Sequence, residues 1–171
     1  MPSAGHSLNQ FVLSVEGGFL FADQGDVNPR AFGIELVTDS CRAKIDALTF
    51  KNADVYQNTF SDLGGLVNTS SGYLFAGTYE HTTASGKNDV NGSRNLFIVK
   101  MDKNLSYTSQ PIYITNYTNM DIETAVHPKI VQINDRKYLL LWEKYNPSID
   151  VQTVFMAIID EDGSLLTSPT E

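Results

Sequence analysis

The chain has 171 residues, 42% hydrophobic and 19% charged, which is the range of an ordinary globular domain with one core or one continuous stacked core. Its 20 acidic and 12 basic residues give a formal net charge of −8, and the basic ones are scattered singly. A nucleic-acid surface needs a clustered basic stripe, so that partner is excluded, and attachment to anionic lipid is disfavoured on the same ground.

No apolar run approaches the roughly 20 residues needed to cross a bilayer as a helix. The opening MPSAGHSLNQ has no basic segment followed by an apolar one, so no signal peptide is visible; a secreted protein would carry this chain as a mature or trimmed piece. Cys41 is the single cysteine, which rules out an internal disulfide framework and a cysteine zinc site. It reads as a small residue in a strand connection.

In chain order, an apolar strand, a short polar turn and an aromatic-rich strand occur three times, as FVLSVEGGFLFAD at 11–23, LVNTSSGYLFAGTYE at 66–80 and KIVQINDRKYLLLWEKY at 129–145. Each is followed by another apolar strand, AFGIELV at 31–37, NLFIVKM at 95–101 and TVFMAII at 153–159. One β unit repeated at this spacing is the pattern of a propeller blade.

The first unit, about residues 6–52, predicts strands at 11–15, 18–23, 31–37 and 44–50, with Gly17-Gly18 turning the first hairpin. The second, about 60–118, predicts strands at 65–69, 72–80, 95–102 and 111–115. Its turn is Ser70-Ser71-Gly72, and a polar insert, His81 to Arg94, separates its second and third strands. The third, about 126–171, predicts strands at 129–133, 137–144, 153–160 and 164–168, with turns at Asn134-Asp135-Arg136 and Asp160-Glu161-Asp162-Gly163. Helical periodicity is confined to Met120–Val126, which stops before His127-Pro128. The runs are near-continuously apolar, as in Tyr138-Leu139-Leu140-Leu141-Trp142, and suit strands covered on both faces.

PKIVQINDRKYLLLWEKY at 128–145 with VFMAIIDEDGSLL at 154–166 resembles the blades of repeat β-propellers found in secreted and cell-surface proteins. HSLNQFV at 6–12 with GDVNPRAF at 25–32 is similar to a first-blade variant of that pattern. The resemblance spans most of residues 1–171 as a single segment and implies a fold and a tendency to bind, with no catalytic residue to carry over. The aspartate box of sialidases and the WD dipeptide are both missing. The expected fold is therefore all-β, a propeller-like stack of about three four-stranded antiparallel blades. Since a closed propeller takes four to eight blades, such a stack is expected to be completed by more chain, a partner chain or a second copy, the alternative being an open stack or another β fold such as a sandwich.

Chemistry-bearing residues are sparse. Asp23, Asp26 and Asn28 place three oxygen-bearing side chains at a strand end, a weak calcium candidate that lacks the EF-hand spacing. Arg30 could bridge to Asp26 or Asp23, or reach into a ligand channel. His6, His81 and His127 show no metal-pair spacing, and each reads as structural or solvated. Asp23, Asp26, Glu80 and Glu143 fall near second-strand ends, and Tyr79 and Trp142 adjoin the last two. That is the aromatic-plus-acid grouping of carbohydrate sites, set against ordinary aromatic packing between blades. No nucleophile elbow, P-loop, dinucleotide fingerprint or zinc-protease motif occurs.

Four sequons, at Asn68, Asn91, Asn104 and Asn116, lie in or beside predicted turns and favour an extracellular or cell-surface location. The expected function is a non-enzymatic binding or scaffold module presenting loops, the 81–94 insert first, to a protein or glycan, with no cofactor. The alternatives are a glycosidase-like propeller enzyme using paired carboxylates and a structural subunit of a larger assembly.

Overall fold

The structure is a computed structural model that describes residues 7–25, 32–38, 43–48, 61–80, 93–119 and 121–171. Among these residues there is no helix, and eleven strands form three antiparallel sheets.

The N-terminal sheet is a meander of β1 (Ser7–Val15), β2 (Gly18–Gly25), β3 (Phe32–Thr38) and β4 (Ala43–Leu48). The central sheet repeats it with β5 (Ser61–Asn68), β6 (Gly72–Glu80), β7 (Arg94–Asp102) and the two-residue β8 (Ile112–Tyr113). The C-terminal sheet has three strands, β9 (Thr124–Asn134), β10 (Lys137–Asn146) and β11 (Val151–Asp160). Tight turns permit this sequential antiparallel pairing without crossovers. Gly18 and Gly72 open β2 and β6 at equivalent points. A Cβ there would fall 2.1 Å from Val37 O and 2.0 Å from Met101 O, so the third strand closes over a residue with no side chain.

The fourth strands depart from the sequence expectation. Instead of 111–115, only Ile112–Tyr113 pairs as a strand, and 164–168 forms none. Single bridges, Leu165 to Ile159 and Thr170 to Met156, tie that segment alongside β11. In both segments the regular ladder breaks where two successive N–H groups reach one carbonyl, those of Ile114 and Thr115 at Leu96 O and those of Leu166 and Thr167 at Ile158 O. Threonine hydroxyls accept from the third strands instead, Thr115 Oγ1 from Leu96 N at 2.9 Å and Thr167 Oγ1 from Ile158 N at 2.8 Å.

The stretch with helical periodicity is extended from Thr124 onward, because Glu143, Lys144 and Tyr145 of β10 pair with Val126, Ala125 and Thr124. His127-Pro128 therefore lies inside a strand rather than at its entrance. The register slips there, between Leu141 and Glu143 of the partner, and His127 takes φ +51°. The proline is tolerated because β9 is an edge strand, paired on one side only.

The sheets stack in chain order. One apolar cluster joins Leu20, Ala22, Phe32 and Ile34 of the N-terminal sheet to Phe75 and Phe97 of the central one. A second joins Leu74, Ala76, Leu96 and Ile98 of the central sheet to Leu140 and Trp142 of the C-terminal one. The central sheet is thus apolar on both faces, which is why its strands read LFA and LFIV without alternation. The first strands lie side by side, β1 against β5 and β5 against β9. They converge at Gly65, on a bulge with φ +122°, where a Cβ would sit 3.2 Å from Phe11 Cε2 and 3.6 Å from Ile130 Cγ2.

Candidate functional site

The meander topology sends each second strand to the same end of the stack. β2 ends beside the start of β5, where the buried Gln24 amide donates to Ser61 O and, at 2.9 Å, to Ser61 Oγ. β6 ends at Glu80, paired with Arg94 at the start of β7, so the 81–93 connection leaves from this end too. β10 ends at Asn146, and the loop to β11 is held by Ser148, whose N–H donates to Asp121 O at 3.1 Å. Loops between second and third strands therefore share one rim.

A polar network builds the rim between the central and C-terminal sheets. Asp62 Oδ2 accepts from Arg94 Nη1 and from the backbone N–H of His127, each at 3.2 Å. The positive φ of His127 aims that N–H out of the strand ladder. On its other side the His127 ring meets Glu143, Nδ1 to Oε2 at 3.0 Å, with the ring 63% and the carboxylate 29% exposed. Next to them Lys144 Nζ lies 3.2 Å from Glu123 Oε2 and 5.3 Å above the Tyr117 ring. The Tyr117 hydroxyl accepts from Trp142 Nε1 at 3.2 Å, and burial raises its pKa. These pairs fix charges of both signs at the surface, and each partly exposed pair adds little stability by itself.

The opposite rim has its own links. Ser70 Oγ donates to Glu161 Oε2 at 2.5 Å and, with Arg136 at 3.5 Å, holds that carboxyl below its ordinary range. Lys100 pairs with Asp162 across a shallow open groove that Ser71, Asp102 and Thr108 also line.

The residues singled out from sequence separate into distinct places. Tyr79 and Trp142 are each 1% exposed. Trp142 stacks on Phe155 at 5.7 Å and Tyr79 belongs to the cluster between the first two sheets, so both rings serve packing and present no surface for a sugar. Glu143 is at the rim, engaged by His127. Asp23 alternates with the inward Ala22 and Gln24, which puts it on the outward face of the N-terminal sheet, where partial burial raises its pKa. Glu143 and Asp23 are thus on different sheets with the central sheet between them, and the chain does not set them across one cleft.

Asp26, Asn28, Arg30, His6, His81, Cys41 and most of the 81–94 insert lie outside the described residues, as does the side chain of Glu80. Among the described residues no cluster of three or more His, Cys, Asp or Glu side chains could hold a metal ion. Asn68, Asn104 and Asn116 are exposed, and Asn91 is outside the described residues. Sequence reasoning missed Asp62 and Arg94, which are far apart along the chain and meet only because β5 and β7 flank β6.

Neither protein-family models nor curated proteins gave a match to this chain.

Proposed function

We propose that this protein is a non-enzymatic binding module of β-propeller type, acting outside the cell or at its surface and presenting loops of one rim to a protein or glycan. The observation that carries the reading is the convergence of β1, β5 and β9 at Gly65 while three meanders stack outward from it. First strands gathered at an axis, with sheets fanned around it, are how propeller blades are arranged. Such a scaffold holds its connecting loops rigidly at the two ends, where binding residues concentrate. The 81–94 insert leaves the rim that carries Asp62, Arg94, His127 and Glu143, which favours it as the contact loop. Three exposed sequons support the extracellular setting.

Replacing residues 82–92 by a short Gly/Asn turn tests the reading, because Glu80 and Arg94 already face each other across a hairpin. The native chain should bind members of a glycan array or a panel of extracellular proteins, and the shortened chain should lose that binding with an unchanged circular dichroism spectrum. Equal binding by both proteins would defeat the loop assignment, and no binding by either would defeat the module.

The reading as a subunit of a larger assembly has its own support in the two outer faces of the stack.

A further inference from the structure

The second strands align residue for residue from their turns: Gly18-Phe19-Leu20-Phe21-Ala22, Gly72-Tyr73-Leu74-Phe75-Ala76 and Lys137-Tyr138-Leu139-Leu140-Leu141. In each, side chains alternate between a forward face, toward the next sheet in the chain, and a back face, toward the preceding one. Leu20 and Ala22 are forward and buried against the central sheet, as Leu74 and Ala76 are against the C-terminal sheet. Tyr73 and Phe75, then Tyr138 and Leu140, are the back-face residues that meet them, and all four are buried.

By the same alternation, among the described residues, the C-terminal sheet has a forward face with no sheet in front of it and the N-terminal sheet a back face with no sheet behind it. The forward face bears Leu139 and Leu141, flanked through the register by Val131, Met156 and Val154. Of these Val131, Met156 and Val154 are 49%, 45% and 58% exposed. The back face bears Phe19 and Phe21, flanked by Val12 and Val37, with Val12 59% and Phe19 52% exposed. Surfaces this apolar mark interaction sites. They are the two halves of an interface that the chain has already built twice, in which Leu20 and Ala22 receive Tyr73 and Phe75, and Leu74 and Ala76 receive Tyr138 and Leu140. The back face carries the acids Asp23 and Glu35, and the forward face offers Lys129 and Lys137 to meet them, beside its own acids Glu143 and Asp160.

We propose that two copies of this chain associate forward face to back face, twice, so that six sheets close a single two-fold ring. The inference rests on the propeller reading above. A head-to-tail contact of this kind closes when its rotation completes the circle, and six blades fall within the four to eight that propellers use. The first strands of both copies then line one central channel.

Light scattering at several concentrations, on the native chain and on Leu141→Asp and Phe19→Asp, tests the ring. Both positions are partly exposed or at the outer face, and circular dichroism and Trp142 fluorescence check that each variant folds. The native chain should hold twice the chain mass, each variant should fall to a monomer, and an equimolar mixture of the two should shift back toward dimer, since one seam of the mixed pair is intact. A folded native monomer overturns the proposal, as does a dimer abolished by only one variant, which would mean like faces in contact, or open-ended growth with concentration. Insert-dependent binding by a monomer would leave the binding module standing while removing the ring.

Discussion

Phe19 and Tyr73 occupy the same position in successive sheets, the second residue of the second strand on the back face, yet Tyr73 is 8% exposed and Phe19 is 52% exposed. The difference is the neighbour, because Tyr73 packs on the N-terminal sheet behind it and, among the described residues, Phe19 has no sheet behind it.

Truncation should register that difference. Phe75 sits in the interface with edge contact to Phe32 at 5.1 Å, and Phe75→Ala should cost about 3–5 kcal/mol in chemical denaturation. Phe19→Ala should cost under about 1 kcal/mol at concentrations where the chain is monomeric. At high concentration its cost should rise, because the ring buries that side chain. A cost independent of concentration would count against the second copy.

Gly65 is where three first strands meet, at a backbone angle that side chains rarely adopt. Gly65→Val adds both strain and contact with Phe11 and Ile130, and should lose about 1–3 kcal/mol or more in a urea titration. Gly17 also has positive φ but open space around it, so Gly17→Ala should show the strain alone and a smaller loss.

Tyr117→Phe removes the acceptor for the indole N–H of Trp142 while keeping the ring under Lys144. A donor left unsatisfied away from solvent costs about 1–3 kcal/mol. Trp142 is the single tryptophan, so its own fluorescence reports the unfolding midpoint. A midpoint unmoved by the substitution would show that the indole N–H finds another acceptor.

Burial, with Tyr79 nearby, pushes the Tyr113 phenol up to about 12. The folded state therefore favours the neutral phenol over its value near 10 in the unfolded chain. That contribution is full below pH 10 and is lost as pH rises from about 10 through 12. Stability measured across that window should fall more steeply for the native chain than for Tyr113→Phe. Ultraviolet titration should show one tyrosine fewer ionising late in the variant.

Passage through a eukaryotic secretory pathway should add glycans at Asn68, Asn104 and Asn116, all exposed, visible as a mass loss on enzymatic deglycosylation. Each Asn→Gln change should remove one glycan without altering the fold.

The strand pattern, the turns and the order of the sheets were legible in the chain, because they are local. Alternation, Gly17-Gly18, Ser70-Ser71-Gly72 and Asn134-Asp135-Arg136 place hairpins without reference to anything distant. The near-continuous apolar run Tyr138–Trp142 pointed to a strand covered on both faces, yet in β10 only the alternate residues Tyr138, Leu140 and Trp142 are buried, and the doubly covered strands are β6 and β7. Local signals also misled where a distant partner outweighed them. Thr124–Val126 is extended because β10 supplies a ladder, and the fourth strands are cut short where the Thr115 and Thr167 hydroxyls replace ladder carbonyls.

What the tertiary structure alone decided is which side chains meet. Tyr79 and Trp142 look, along the chain, as suited to a sugar as to a core, and only the stacking of sheets spends them on packing. Asp62, Arg94 and His127 form one network from positions 62, 94 and 127 because the meander returns three strands to a single rim. Sequence determines the period and polarity of each strand through short-range sterics and burial preference. The pairing of residues across sheets depends on long-range contacts that no local period encodes.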